Sequence, residues 1–185
     1  MDDSQAIQRL KKGDISGLEV LIARYQTRAI HTAFLITHDE ALAEDVVQDT
    51  YLRIYQRIRY FDETRPFEPY LLRSVTHAAL NMAERSSRHV VLNETDDVVI
   101  MGQLLHTAAT TEDQVEYVLL KQEIFSHLAK LSPRERMVII QRYYLEMSEK
   151  EMAVEHSIAP GTVKWLLSVA RQHLRTFIRT EGEKE

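Results

Sequence analysis

The chain has 185 residues, 44% of them hydrophobic, and no cysteine, which excludes disulfides, thiolate metal sites and cysteine nucleophiles. Its net charge of -5 argues against a protein that binds bare DNA through phosphate attraction alone, and the acidic excess lies mostly in residues 87–115. The amino-terminal residues are polar and no apolar run approaches the roughly 20 residues of a spanning helix, so we expect a soluble, cytoplasmic protein without membrane insertion.

Two long helices are predicted at the start of the chain. Apolar residues recur at three- and four-residue steps through residues 18–33, which is the spacing of one helix face, and this helix is expected to begin near Asp14. Thr37 and Glu40 fit a capping box, in which a hydroxyl and a carboxylate satisfy backbone donors at a helix start. A second helix is therefore predicted from there to about Tyr60.

The second predicted helix carries a polar stripe beside its apolar face. Its members, spaced at i, i+3, i+4 and i+8, are Asp45, Gln48, Asp49 and Arg53. Composition alone favours a solvated face with an ion pair between Asp49 and Arg53.

A loop and a third helix are predicted next. Residues 62–69 contain two prolines and favour a loop, and residues 70–85 can form a helix. The segment is rich in aromatic and cationic residues of the types that stack on bases and bind phosphates: Tyr60, Phe61, Arg65, Phe67, Tyr70, Arg73, His77, Asn81, Arg85 and Arg88. The alternative is that Phe61, Phe67 and Tyr70 simply belong to a core.

Residues 87–114 show no sustained helical period and predict a linker. Beyond it, Ser132 to Glu135 combines a cap, a proline and a box glutamate, and a second box spans Ser148 to Glu151. The next residues favour a helix-turn-helix whose second helix runs from Pro160 to about Arg179. That helix would bring these residues near a major groove: Thr162, Lys164, Trp165, Ser168 and Arg171. A compact helical hairpin without DNA binding is the alternative.

Catalytic signatures are lacking in the sequence. There is no HExxH, GxxxxGK[ST], GxGxxG or GxSxG motif, and the chain has only five glycines. The nearest acid–histidine pairs, Glu123 with His127 and Glu155 with His156, lack a further ligand at metal-site spacing. We therefore expect no enzyme, no metal site and no cofactor.

Two stretches resemble the extracytoplasmic-function sigma factors of the sigma-70 family. They are AEDVVQDTYLRIYQRIRYFDETRPFEPYLLRSVTHAALN and LSPRERMVIIQRYYLEMSEKEMAVEHSIAPGTVKWLLSVARQHLR. The resemblance implies an all-α fold of two small helical domains joined by an irregular linker, the second with a helix-turn-helix. Domain 2 would span residues 5–88, the linker 89–113 and domain 4 residues 114–181.

The resemblance also implies partners and sites. The chain would bind the clamp and flap of core RNA polymerase, the clamp through Asp45, Gln48, Asp49 and Arg53, and an anti-sigma factor would be a further partner. The minus-10 promoter element would be bound by Arg65, Tyr70, Arg73, His77, Asn81, Arg85 and Arg88. The minus-35 element would be bound by Arg134, Thr162, Lys164, Trp165, Ser168, Arg171 and Arg175.

Several positions depart from the family pattern. Relatives usually carry Trp, Asn and Asp where this chain has Tyr70, His77 and Asn81, and a glycine where it has Ser157. Arginines are frequent in the family at Leu166 and Val169; together with Leu167, these residues would form either core or an apolar protein-binding surface. For Trp165 we expect packing rather than base reading. The rival interpretation is a sigma-like regulator, or an adaptor that titrates anti-sigma proteins, which does not initiate transcription.

Overall fold

The computed structural model describes residues 1–86 and 124–182, which belong to two compact units, Met1–Arg85 and Ser86–Glu185. All regular secondary structure in the described residues is helical, which confirms the predicted all-α class. Arg88 and the predicted linker at 89–113 lie outside these residues. No helix in the described part of the chain is both long enough and apolar enough to cross a membrane.

The first unit consists of four α-helices and a short 3-10 helix. They are α1 (Asp3–Lys11), α2 (Ser16–Thr37), α3 (Glu40–Arg57), the 3-10 helix Ile58–Tyr60 and α4 (Phe67–Ser86). Helix α2 packs against both α1 and α3. The largest fully buried side chains of the unit come from α2 and α4: Leu21, Phe34, Ile36, Phe67, Leu71 and Val75.

The start of α3 corrects one sequence prediction. Asp39, rather than Thr37, caps the helix, and its carboxylate accepts from the Leu42 backbone N–H over 2.9 Å. Thr37 is the last residue of α2, and His38 adopts a left-handed conformation with φ 53° that ends that helix. The predicted capping box of Thr37 and Glu40 is wrong. A capping residue precedes its helix and is not itself helical, whereas Thr37 is still part of α2.

Helices α2 and α4 begin at positions slightly different from those predicted. Helix α2 begins at Ser16, two residues after Asp14, whose carboxylate accepts from the Ser16 N–H over 3.0 Å. Helix α4 begins at Phe67 rather than Tyr70, so Pro69 lies in its first turn. A proline is tolerated there because the first backbone N–H groups of a helix have no intrahelical acceptor.

Helix α1 is fixed against α2 by a close crossing and by polar contacts. A Cβ atom on Gly17 would lie 2.1 Å from the Ala6 carbonyl oxygen, so only glycine permits the two backbones to approach this closely. The Asp3 carboxylate also accepts from Arg24 and from the Tyr25 hydroxyl. Burial and the bond to Asp3 raise the pKa of Tyr25 to about 12, so its phenol stays protonated and donating at neutral pH.

The second unit contains a helix-turn-helix. The chain is helical at residues 124–129. Then follow α5 (Pro133–Ile139), a π-helical turn (Ile140–Tyr144), α6 (Glu149–Glu155) and α7 (Pro160–Gly182). Both predicted capping boxes are confirmed, at Ser132 with Glu135 and at Ser148 with Glu151.

The helix-turn-helix is held by a small apolar core. Val163, Leu167 and Ala170 on α7 are fully buried, as is Met152 on α6. In the turn, Ser157 adopts a left-handed conformation with φ 52°, which is the conformation that favours glycine.

A polar contact joins the start of α5 to the middle of α7. Glu135 accepts from Ser132 with one carboxylate oxygen and lies 2.9 Å from His173 Nδ1 with the other. The capping residue of α5 therefore also contacts the middle of α7, which fixes α7 relative to the rest of the unit.

Candidate protein- and nucleic-acid-binding surfaces

The polar stripe predicted on α3 lies on the surface. Its members Asp45, Gln48, Asp49 and Arg53 are all exposed. Asp49 and Arg53 approach within 3.7 Å, and both side chains are more than 60% exposed, at 62% and 67%. An i,i+4 pair so exposed contributes only about 0.3–0.5 kcal/mol, so the stripe's charges remain available to a partner.

An apolar residue interrupts this stripe. Leu52 is 56% exposed and follows Asp45 by seven residues and Gln48 by four, which places it on the same side of the helix. We call these five residues the α3 face: Asp45, Gln48, Asp49, Leu52 and Arg53. Leu52 is absent from the sequence-predicted site, although its spacing from Asp45 and Gln48 could have indicated it. An exposed leucine amid charges is a typical anchor of a protein interface.

The aromatic residues that follow α3 separate into buried and exposed. Phe61 and Phe67 are buried, their ring centroids are 5.8 Å apart, and the core interpretation is confirmed for both. Tyr70 is half-buried, with its ring 4.9 Å from that of Phe61. Much of the Tyr70 ring is therefore occupied by packing.

Tyr60 is the exposed aromatic of this region. It is 89% exposed at the end of the 3-10 helix, where side chains three residues apart eclipse, so it lies on the side of Arg57. Arg57 and the neighbouring Arg59 are exposed as well. Sequence reasoning grouped Tyr60 with the other aromatics but left it out of the site, because exposure depends on tertiary packing.

Residues 61–66, here called the α3–α4 loop, form a compact turn. The Asp62 carboxylate accepts from the Thr64 N–H over 3.0 Å and from the Thr64 hydroxyl over 2.7 Å. These two bonds, the hydroxyl first, lower the pKa of Asp62. Arg65 Nε lies 3.3 Å from Asp62 Oδ2, so this predicted site residue is exposed but oriented by the turn.

Four predicted site residues form a ridge along α4. Arg73, His77, Asn81 and Arg85 follow one another at four-residue steps, so they lie along one side of the helix. Arg73 and His77 are half-buried, whereas Asn81 and Arg85 are exposed. The ridge extends about 18 Å, which is long enough to contact several nucleotides.

The predicted groove-binding residues of the second unit are mostly exposed. Arg134 on α5 is exposed, as are five residues of α7: Thr162, Lys164, Trp165, Ser168 and Arg175. Trp165 is 62% exposed, so the expectation that it is packed is wrong. Its place in the second turn of α7 leaves the indole open to a ligand.

Arg171 differs from the other cations of α7. It is half-buried, and its Nε donates to the Tyr143 hydroxyl over 2.9 Å. Leu167 is buried in the core, which was one of the two interpretations of these apolar residues, whereas Leu166 and Val169 are half-buried. A large apolar surface on α7 is therefore not formed by these three residues.

The charges of the second unit are segregated between its helices. Residues 160–180 contain no acidic side chain and four basic ones, Lys164, Arg171, Arg175 and Arg179. The acidic residues of the helix-turn-helix lie on α6 instead. Helix α7 is consequently locally basic within an acidic chain, which suits a contact with phosphates.

No group of three or more His, Cys, Asp or Glu side chains within residues 1–86 and 124–182 is arranged to hold a metal ion.

Two family models match the chain in order. Sigma-70 region 2 matches residues 21–89, and Sigma-70, region 4 matches residues 121–174. The first match contains the α3 face, the α3–α4 loop and α4, and the second contains α6 and the part of α7 up to residue 174.

Characterised proteins are similar over most of their length. The ECF RNA polymerase sigma factor SigW of Bacillus subtilis is 26% identical over 177 residues, covering 94% of this chain and 95% of SigW. The ECF RNA polymerase sigma factor SigL of Mycobacterium tuberculosis is 32% identical over 151 residues, covering 81% and 82% of the two chains. The fold resembles that of the sigma factor RpoE, solved with the anti-sigma factor NepR from Bartonella quintana, with a TM-score of 0.62, 18% identity and coverage of 87% and 96%.

Proposed function

The chain belongs to the extracytoplasmic-function group of the sigma-70 family, and from this membership we propose how its surfaces direct transcription initiation. It is an alternative sigma factor, a transcription initiation factor rather than a catalyst, that works with core RNA polymerase and promoter DNA. The observation that carries this function is the order of matched regions along the chain, region 2 before region 4.

The α3 face is the proposed contact with core polymerase. It supplies two carboxylates and an exposed leucine on one side of a helix whose opposite side is buried in the unit. Leu52 would be desolvated at the centre, while Asp45 and Asp49 pair with cations of the largest subunit. Recruitment through a protein contact explains how a sigma factor with a net charge of -5 reaches DNA.

The α3–α4 loop and the α4 ridge are the proposed minus-10 surface. DNA opening requires unpaired bases to be captured by stacking and their phosphates by cations. We propose that Arg65, Tyr70 and the residues of the α4 ridge bind the minus-10 element. Arg88 is included with them because of its position in the sequence, since it lies outside the described residues. Tyr60 is added because it is 89% exposed and is the most exposed aromatic residue among described residues 1–86.

The basic side of α7 is the proposed minus-35 surface. Thr162, Lys164, Trp165 and Ser168 occupy the first three turns, as a recognition helix in a major groove requires. Arg134, Arg171 and Arg175 would contact phosphates. The flap of core polymerase remains a proposed partner of this domain.

The remaining assignments follow from the same membership. Domain 2 would span residues 5–88, the linker 89–113 and domain 4 residues 114–181. We place the protein in the cytoplasm, where its polymerase works, and we propose that it has no catalytic activity of its own. The RpoE relative was solved with an anti-sigma factor, and we propose that this chain too is restrained by one.

Reconstituted transcription tests the function. The purified chain is combined with bacterial core polymerase and a promoter library whose minus-35 and minus-10 elements are randomised, and the run-off transcripts are sequenced. We expect transcripts enriched for one pair of elements and absent with core polymerase alone. Core binding without any run-off transcript would instead support the sigma-like regulator or titrating adaptor.

A further inference from the structure

Helix α1 holds the α3–α4 loop from one side. Lys11 Nζ donates to the Phe61 carbonyl oxygen over 2.8 Å and to Glu63 Oε1 over 2.7 Å. Gln8, one turn earlier on the same side of α1, donates to the other carboxylate oxygen of Glu63 at 3.5 Å. Gln8 and Lys11 of α1 therefore both donate to Glu63 of the loop, which lies more than 50 positions away in the sequence.

The Phe61 carbonyl gives this contact a second function. Phe61 follows the 3-10 helix, and its backbone leaves the helical conformation with φ -69° and ψ 129°. The bond from Lys11 to its carbonyl is partly buried. A partly buried carbonyl left without a donor is unfavourable, so Lys11 stabilises the extended backbone conformation with which Phe61 ends the 3-10 helix.

The rest of the loop is tied mainly to itself. Asp62 accepts from Thr64, and the Arg65 N–H donates to the Asp62 carbonyl oxygen over 3.1 Å. These bonds define the shape of the turn but not its direction relative to the helices. The direction is set by the packed Phe61 ring and by Lys11.

We infer that Lys11 is a positioning residue for promoter opening, because it holds the α3–α4 loop in the orientation that presents Arg65 and the adjacent Tyr60 to the unpaired minus-10 strand. The inference deepens the proposed function and rests on it. Lys11 itself need not touch DNA, since its ammonium group is engaged by the loop.

The size of the effect separates positioning from general stability. The Lys11–Glu63 pair is partly exposed, with side-chain accessibilities of 23% and 34%, so the ion pair itself contributes little to the global free energy of unfolding. A surface loop opens at a small fraction of the global unfolding free energy, so the loss of this pair can change its population of conformers several-fold.

The test compares Lys11→Met with Lys12→Met in the full-length chain. Lys12 is exposed at the end of α1, and its side chain has no hydrogen bond or ion pair within residues 1–86 and 124–182, so it is a matched control for charge. Hydrogen exchange of the Thr64 and Arg65 amides reports on the loop in the free protein. Sequencing of run-off transcripts from a promoter library randomised at the minus-10 element reports on recognition by the reconstituted polymerase.

We expect Lys11→Met to speed exchange in the loop and to weaken the preference for the selected minus-10 bases by about fivefold, with core binding unchanged. Lys12→Met should behave as the parent, and Lys11→Arg should restore the preference. The double variant Lys11→Glu with Glu63→Lys should recover part of what Lys11→Glu alone loses.

Two results would overturn the inference. One is parental exchange rates in Lys11→Met, which would show that the loop does not depend on Lys11. The other is an equal loss of transcription from every minus-10 sequence, which would indicate a merely structural residue. If the parent chain gives no transcripts at all, the proposed function fails and the inference fails with it, whatever the exchange rates are.

Discussion

The guanidinium of Arg171 lies over the ring of Tyr143, 5.9 Å from its centroid, while Nε donates to the Tyr143 hydroxyl. Tyr143 belongs to the π-helical turn, so a residue outside α7 directs a cation of the proposed minus-35 surface. The contact restrains a long side chain that would otherwise lose conformational entropy on binding phosphate.

Removing the Tyr143 hydroxyl should therefore weaken minus-35 binding. We expect Tyr143→Phe to raise the Kd of reconstituted polymerase for upstream promoter duplex about two- to fivefold, and Arg171→Ala to raise it further. The double variant should match Arg171→Ala, because the hydroxyl acts through the arginine. Fluorescence anisotropy across a salt series measures this, and fully additive losses would contradict the prediction.

The α3 face should govern binding to core polymerase. Asp45→Arg with Asp49→Arg is expected to abolish co-purification with core polymerase, and Leu52→Ala to weaken it, while helicity and melting temperature stay nearly unchanged because these side chains are exposed. Glu19→Arg, at an exposed position of α2, controls for a charge reversal outside the α3 face. Retained binding of the double arginine variant would remove α3 from the interface.

Tyr60 and Tyr70 should behave differently. Tyr60→Ala is expected to suppress permanganate reactivity of thymines near the start site without lowering the melting temperature, since a stacked base is worth about 1–3 kcal/mol and the ring has little packing to lose. Tyr70→Ala should lower the melting temperature as well, because its ring packs on Phe61 and Phe67. Normal opening by Tyr60→Ala would show that the exposed ring does not meet the strand.

The left-handed turn residue of the helix-turn-helix should be a site of stabilisation. Ser157→Gly is expected to raise the free energy of unfolding of the second unit by about 1 kcal/mol, because glycine adopts a positive φ without the Cβ clash. Ser157→Ala keeps the Cβ atom and should give no gain. Urea denaturation followed by circular dichroism measures both, and equal stability of the two variants would refute the explanation by strain.

Local sequence rules predicted the helix starts that depend on adjacent residues. The boxes at Ser132 and Ser148 are present because the capping partner lies three residues away, which sequence shows directly. At α3 the same rule selected Thr37 instead of Asp39, because the local sequence does not show that α2 continues to Thr37. Pro69 was likewise taken as loop although the first turn of α4 accommodates it.

Exposure was less predictable than position. Trp165 and Tyr60 are large aromatic residues that composition assigns to a core or leaves undecided, and only the packing of neighbouring helices shows that both rings face water. Leu52 shares a side of α3 with the predicted site residues, but an apolar side chain is by itself more typical of a core than of a surface. The bond from Lys11 to Glu63 joins distant parts of the chain, which no local pattern indicates.

The close crossing of α1 and α2 at Gly17 determines how near Lys11 lies to the α3–α4 loop. With the Ala6 carbonyl oxygen only 2.1 Å from where a Cβ atom would stand, any side chain there must push α1 outward by about an ångström or more. Lys11 directly follows Leu10, whose backbone N would lie 3.0 Å from the same Cβ atom, and the Lys11 hydrogen bonds of 2.7 and 2.8 Å do not survive such a shift. A hydrogen atom in place of a methyl group at buried Gly17 therefore keeps Lys11 within hydrogen-bonding distance of the loop that is proposed to contact the minus-10 strand.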